Sequence, residues 1–125
     1  MRVDVSDPPR LFEVGRERRL QMKDCGRIWL EADEQVTFVT ASGAEYDVAR
    51  KSWGFYATPS LNRRLVRFGL RAVLAKSPNG SFFVFLVERG KEAEFGEYVG
   101  TEQLIVVCWL DNDRDLEALE WATRR

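Results

Sequence analysis

A chain of 125 residues is the size of one small domain, and a hydrophobic share of 45% beside 31% charged residues is the composition of a folded protein. With no histidine and two cysteines, the usual zinc sites, Ser-His-Asp triads and Cys-His pairs are excluded. Lys+Arg 19 nearly balance Asp+Glu 20, yet residues 48–87 hold seven basic residues and no acidic one, which leaves 12 basic against 20 acidic residues elsewhere.

Residues 1–125 are expected to form a single globular domain, with residues 1–10, which include Asp7, Pro8 and Pro9, as an extended or frayed arm. The acidic N-terminus does not resemble a signal peptide, and the longest apolar runs, 82–87 and 105–110, fall far short of the roughly 20 residues of a membrane-spanning helix. A cytoplasmic location is expected. From Leu20 to Tyr56 the segments LQMKD, RIWLEA, QVTFVT and EYDVAR alternate with period two, so an antiparallel meander is predicted, with connections at EADEQ and around Gly43. Next, TPSLNRRLVRFG predicts a helix over 58–68: Thr58 as N-cap, Pro59 at the first helical position, Gly69 just past the end, and Leu61, Leu65 and Phe68 as the buried stripe.

Asn79-Gly80 between LRAVLAK and SFFVFLVE predicts a hairpin. FFVFLV and LIVVCWL are apolar without alternation, so they are expected at the centre of the fold, with Cys108 as a small buried hydrophobe. Between them Phe95, Tyr98 and Val99 have the spacing of a short amphipathic helix, and strand, helix, strand in that order predicts a crossover between parallel strands. DNDRDLEALEWATRR reads as a final helix, capped by Asp or Asn and ending in Arg124 and Arg125. The fold class is α+β: a mainly antiparallel sheet of about six or seven strands, in one arrangement a partly closed barrel, with two or three short helices.

The basic segment carries the candidate site. A helix start at Thr58 would offer free backbone N–H groups beside Thr58, Ser60 and Asn62, with Arg63, Arg64 and Arg67 close by, and planar guanidinium groups bind oxyanions through paired hydrogen bonds. Lys51 adds charge, while Trp53 or Tyr56 would cover the apolar part of a ligand; two of the three aromatics Trp53, Phe55 and Tyr56 are expected inside. Set against this, arginines on a helix usually form a solvated face or meet carboxylates. Asp24-Cys25 is a poor thiolate, Glu31, Asp33 and Glu34 lack a metal-loop spacing, and ERGKEAEF lacks the Ser or Thr of a phosphate-binding loop.

The leading expectation is therefore a binding module without catalytic residues, cofactor or metal, holding an anionic, phosphate-bearing ligand such as a nucleotide or sugar phosphate. One alternative is a single-stranded nucleic acid binder using the same basic and aromatic surface. Another is a structural or homo-oligomerising subunit whose exposed apolar surface joins an assembly. An enzyme using Asp47, Lys51 or Tyr56 as acid or base has no positive sign in the sequence. Membrane association is not expected.

Overall fold

Residues 1–124 are described by a computed structural model. Arg2–Val14 (β1) pairs antiparallel with Leu20–Trp29 (β2), and Gly15 with a 3-10 turn at Arg16–Arg18 joins them. Residues 1–10, expected as an arm, thus belong mostly to a long strand, and LQMKD and RIWLEA merge into its partner. Asp7, Pro8 and Pro9 fall in an irregularity of register between Val5 and Arg10, where a missing backbone donor costs no ladder bond. Gly26, at φ 145°, is required on two counts, because a Cβ there would sit 2.1 Å from the Asp4 carbonyl oxygen.

Cross-strand partners share a face and neighbours along a strand alternate. On this ribbon the register therefore gathers Val3, Val5, Phe12, Val14, Leu20, Met22 and Ile28 on one face, with Arg10 opposite Asp24 in their midst. Arg2, Asp4, Glu13, Gln21, Lys23 and Arg27 lie on the other face together with Leu11 and Trp29, so that face is mainly polar. The ribbon is amphipathic, and most of its apolar face is open: Val5 is 70% and Met22 49% exposed.

Gln35–Val39 (β3), Glu45–Lys51 (β4) and Gly54–Ala57 (β5) form a sheet in that order. The expected turn around Gly43 is present: Gly43, at φ 93°, donates its N–H to the Thr40 carbonyl, and Thr40 N–H bonds the Ala44 carbonyl at 2.9 Å. The EADEQ connection does not make a hairpin, since β2 and β3 belong to different sheets.

After the single helical turn Arg64–Arg67 (α1) comes the third sheet, of Leu70–Lys76 (β6), Phe82–Glu88 (β7) and Ile105–Trp109 (β8), in the order β7-β6-β8. Both outer strands are antiparallel to β6, so β7 and β8 run parallel to each other, as the crossover predicts, with β6 between them. Asn79-Gly80 occupies the β6–β7 turn, where Gly80 N–H bonds the Ser77 carbonyl. The crossover carries Glu92–Thr101 (α2), whose Phe95 meets Phe85 at a tilt and whose Tyr98 meets it edge-on, with ring centroids 5.5 and 5.9 Å away. Asp113–Thr123 (α3) starts at Asn112, whose side chain accepts from Asp115 N–H at 2.9 Å. Arg124 follows its last turn, and Arg125 lies outside the described residues.

The fold is thus α+β, but among the described residues eight strands divide among three small open sheets of two, three and three strands, and neither the sheet of six or seven strands nor the barrel forms there. The expected centre is also displaced. Ala72, Val73 and Ala75 of β6 are fully buried, whereas Phe82, Val84, Ile105 and Val107 are exposed and Cys108 is half-buried. Small residues let β6 be covered closely on both faces, and β8, by returning to the far side of β6, leaves itself and β7 at the edges. By contact, the chain expected to be one domain groups into two compact units: Met1–Val36 with Val48–Tyr56, and Thr37–Asp47 with Ala57–Arg125. The principal core belongs to the second unit and joins Ala44, Leu65, Leu70 and Ala72 to Tyr46, Leu86 and Leu110.

Candidate functional site

Of the nine predicted site residues, Lys51, Trp53 and Tyr56 belong to the first unit and Thr58, Ser60, Asn62, Arg63, Arg64 and Arg67 to the second. Lys51 Nζ lies 2.5 Å from Asp33 Oδ1, and that bond raises its pKa. Trp53, Phe55 and Tyr56 are all exposed, Trp53 at 71%, which corrects the expectation that two of them are core. Arg50 bonds the Gly54 carbonyl at 3.2 Å and lies over the Phe55 ring, so the aromatic turn is braced from its own strand pair.

The predicted helix of 58–68 shrinks to α1, and its start moves. The N-cap is Arg63, which makes no side-chain capping bond, and Ser60 holds the turn before it: its Oγ accepts from Arg64 N–H at 3.1 Å and its carbonyl from Leu65 N–H at 3.0 Å. Thr58 N–H bonds the Asp47 carbonyl, while Thr58 Oγ1 is buried without a hydrogen-bond partner among the described residues. One turn of helix has almost no macrodipole and no run of free N–H groups, so the helix-start cradle does not form. The other end matches the prediction: Gly69, at φ 93°, closes the turn by donating to the Val66 carbonyl, and Leu65 is completely buried.

The three arginines diverge. Arg63 approaches Asp113 at 3.6 Å, and Asn62 donates to the same carboxylate at 2.7 Å, which fastens this loop to the start of α3. Arg64 lies 3.7 Å from Asp47, a buried carboxylate that also accepts from Thr37 Oγ1 at 2.6 Å. For Arg67 no ion pair forms among the described residues; it lines a surface concavity of about 630 Å³ together with Ser42, Gly69, Glu88, Arg89 and Glu92. Arg71 contacts Asp111 at 2.5 Å and Glu92 at 3.2 Å and lies 4.1 Å from the Trp109 ring centroid. Asp111 is pushed up by burial, but hydrogen bonds from Arg71 and Asn112 outweigh this and leave its pKa lowered. Four of the seven basic residues of 48–87 thus meet acidic residues from outside that stretch.

Sequence reasoning did not find the polar cluster at the rim of this concavity. Glu88 accepts from Ser42 Oγ at 2.5 Å, from Thr40 Oγ1, and from Lys91 at 2.9 Å. The Ser42 and Thr40 hydroxyls, then Lys91, hold its pKa at about 2. No local signal links residues 40 and 42 to 88; the β3–β4 turn brings them there. Arg89, on the same concavity, donates to the Val66 carbonyl at 3.3 Å. A second groove of about 400 Å³ runs beside α2, lined by Thr40, Phe85, Lys91, Glu94, Phe95 and Tyr98. Its rings pack on one another at centroid distances of 5.5 to 6.4 Å, which leaves no cage between them.

Among the described residues no three acidic or cysteine side chains gather as a metal site, and both cysteines are free thiols. Among the described residues no helix is long and apolar enough to cross a membrane. No protein-family model matches the chain, and neither a curated protein nor a solved structure is significantly similar to it.

Proposed function

We propose that this chain is a structural subunit that works by assembling with further copies of itself. The observation that carries this reading is uncovered apolar β-structure in both units: the open face of the β1–β2 ribbon, and the ends of β7 and β8, where Phe82, Phe83, Val84, Ile105, Val106 and Val107 are exposed. A soluble monomer rarely leaves contiguous apolar surface of this extent in water, and a strand apolar on both sides is normally covered on both. The scattering of the arginines onto carboxylates supports the same reading, since it removes the convergent charge that a ligand site or a nucleic acid groove would need. Two free thiols, Cys25 exposed among them, suit a reducing setting such as the cytoplasm. Light scattering across a range of concentrations tests the proposal: the mass should exceed the 14.5 kDa of one chain and rise with concentration. A constant 14.5 kDa would exclude it.

One observation favours a second reading. Arg67, without an ion pair among the described residues, and Arg89 flank the same concavity as Glu88 and Glu92, so a phosphate-bearing small molecule has two guanidiniums to bind beyond the end of α1 instead of at its start. Titration with inorganic phosphate, followed by amide chemical shifts, should perturb residues around Ser42 and Gly90, and Arg67→Gln with Arg89→Gln should abolish the response. Shifts that persist in the double variant, or none in the parent, would dispose of this reading.

A further inference from the structure

The β1–β2 ribbon contains more information about its occupant than the other apolar surfaces do. Its face is ordered along the strands as Val3 with Ile28, Val5 with Gly26, Arg10 with Asp24, Phe12 with Met22, and Val14 with Leu20. The one charged pair therefore sits in the middle of an otherwise apolar row. Arg10 and Asp24 meet at 3.2 Å, and the Arg10 side chain remains 68% exposed, so the guanidinium has donors to spare.

We infer that this face is the contact between two copies of the chain, stacked about a two-fold axis running along the ribbon. The inference rests on the assembly reading above and adds the surface and its symmetry. An axis in that direction lays β1 of one copy over β2 of the other, so each residue faces the counterpart of its own cross-strand neighbour. Arg10 then meets Asp24 of the second copy, and the four charges alternate in sign. Val5 stands over Gly26, which has no side chain to oppose it, and Phe12 meets the Met22 thioether, a favourable sulfur–aromatic contact. A two-fold axis across the strands would instead stack Arg10 near Arg10. An unrelated apolar partner would leave the ion pair buried against nothing that complements it, at a cost. The pairing also meets a need of the ribbon itself, because two strands with an uncovered face are marginally stable in water.

The test is charge reversal with mixing. By sedimentation velocity, Arg10→Asp and Asp24→Arg, each by itself, should associate about a hundredfold more weakly than the parent, because each places four like charges together. Mixed one to one, the two variants should form a heterodimer, each chain supplying the sign the other lacks. Circular dichroism establishes that each variant is folded; should either unfold, Met22→Lys, on the same face and outside the ion pair, replaces it and should give a folded monomer. A parent that associates while all these variants associate equally well leaves the assembly reading standing and overturns the ribbon as its surface. Single variants that lose association without recovery on mixing overturn the two-fold arrangement, since the loss then comes from the pair within one chain. A monomeric parent overturns both.

Discussion

Glu88 shows how much one side chain is asked to hold. Three donors from two places in the chain, the β3–β4 turn and Lys91, converge on a carboxylate at the surface, and they stabilise only its ionised form. Its pKa falls from the ordinary 4.5 to about 2, so its contribution to stability is complete above pH 4.5 and is lost as pH falls through 4.5 toward 2. Glu34, Glu92 and Asp111 are shifted in the same direction and add to the same acid-side loss. Melting temperature should therefore decline over that window, and Glu88→Gln should flatten part of the decline; an unchanged slope would mean that the hydroxyls of Thr40 and Ser42 do not bond it in solution. Leu65 marks the opposite environment, fully enclosed and apolar. Leu65→Ala should cost about 2–5 kcal/mol by urea denaturation, the range for emptying a packed site, and a loss below about 1 kcal/mol would show that the core has been misplaced.

At the scale of elements, sheet order decides what is stable. β6 bonds a neighbour on each side and is covered on both faces, whereas β7 and β8 each have one open edge. Amide exchange should be slowest in residues 70–76 and faster at the outer ends of the two edge strands; the reverse ranking would contradict the order β7-β6-β8. The sequence revealed α2, α3, the Asn79-Gly80 turn and the parallel sense of β7 and β8, because each is written in local spacing or capping. It misled about the centre, since an apolar run reads alike whether a sheet or a partner covers it, and about β1, since Asp7-Pro8-Pro9 interrupts the alternation that its partner strand keeps. The candidate site was legible in its composition and not in its geometry. The helix begins after Arg63 and not at Thr58, with Ser60 Oγ bonded to Arg64 N–H, and the carboxylates that meet Arg63 and Arg64 come from Asp113 and Asp47, which no window around 58–68 contains.

For the whole molecule, charge separated along the sequence is mixed again by folding, so a basic segment need not become a basic surface. The ion pairs that do this are mostly exposed, and each contributes little. Raising salt should therefore leave melting almost unchanged, and a fall of many degrees would mean that these pairs carry more of the fold than their exposure implies. The interleaving of the two units has a further effect. Each is made of two stretches, with 37–47 leaving the first to join the second before 48–56 returns. Neither can then be cut out as a single piece of gene: a fragment of 57–125 lacks Ala44 and Tyr46 and should remain unfolded by circular dichroism. During synthesis Thr40 and Ala44 leave the ribosome before the residues they meet, Glu88 for the first and Leu65 and Leu70 for the second, so the β3–β4 turn must wait for those later residues to follow. A protein threaded in this way cannot acquire its fold one half at a time, and a stalled or truncated product is one that quality control has reason to meet.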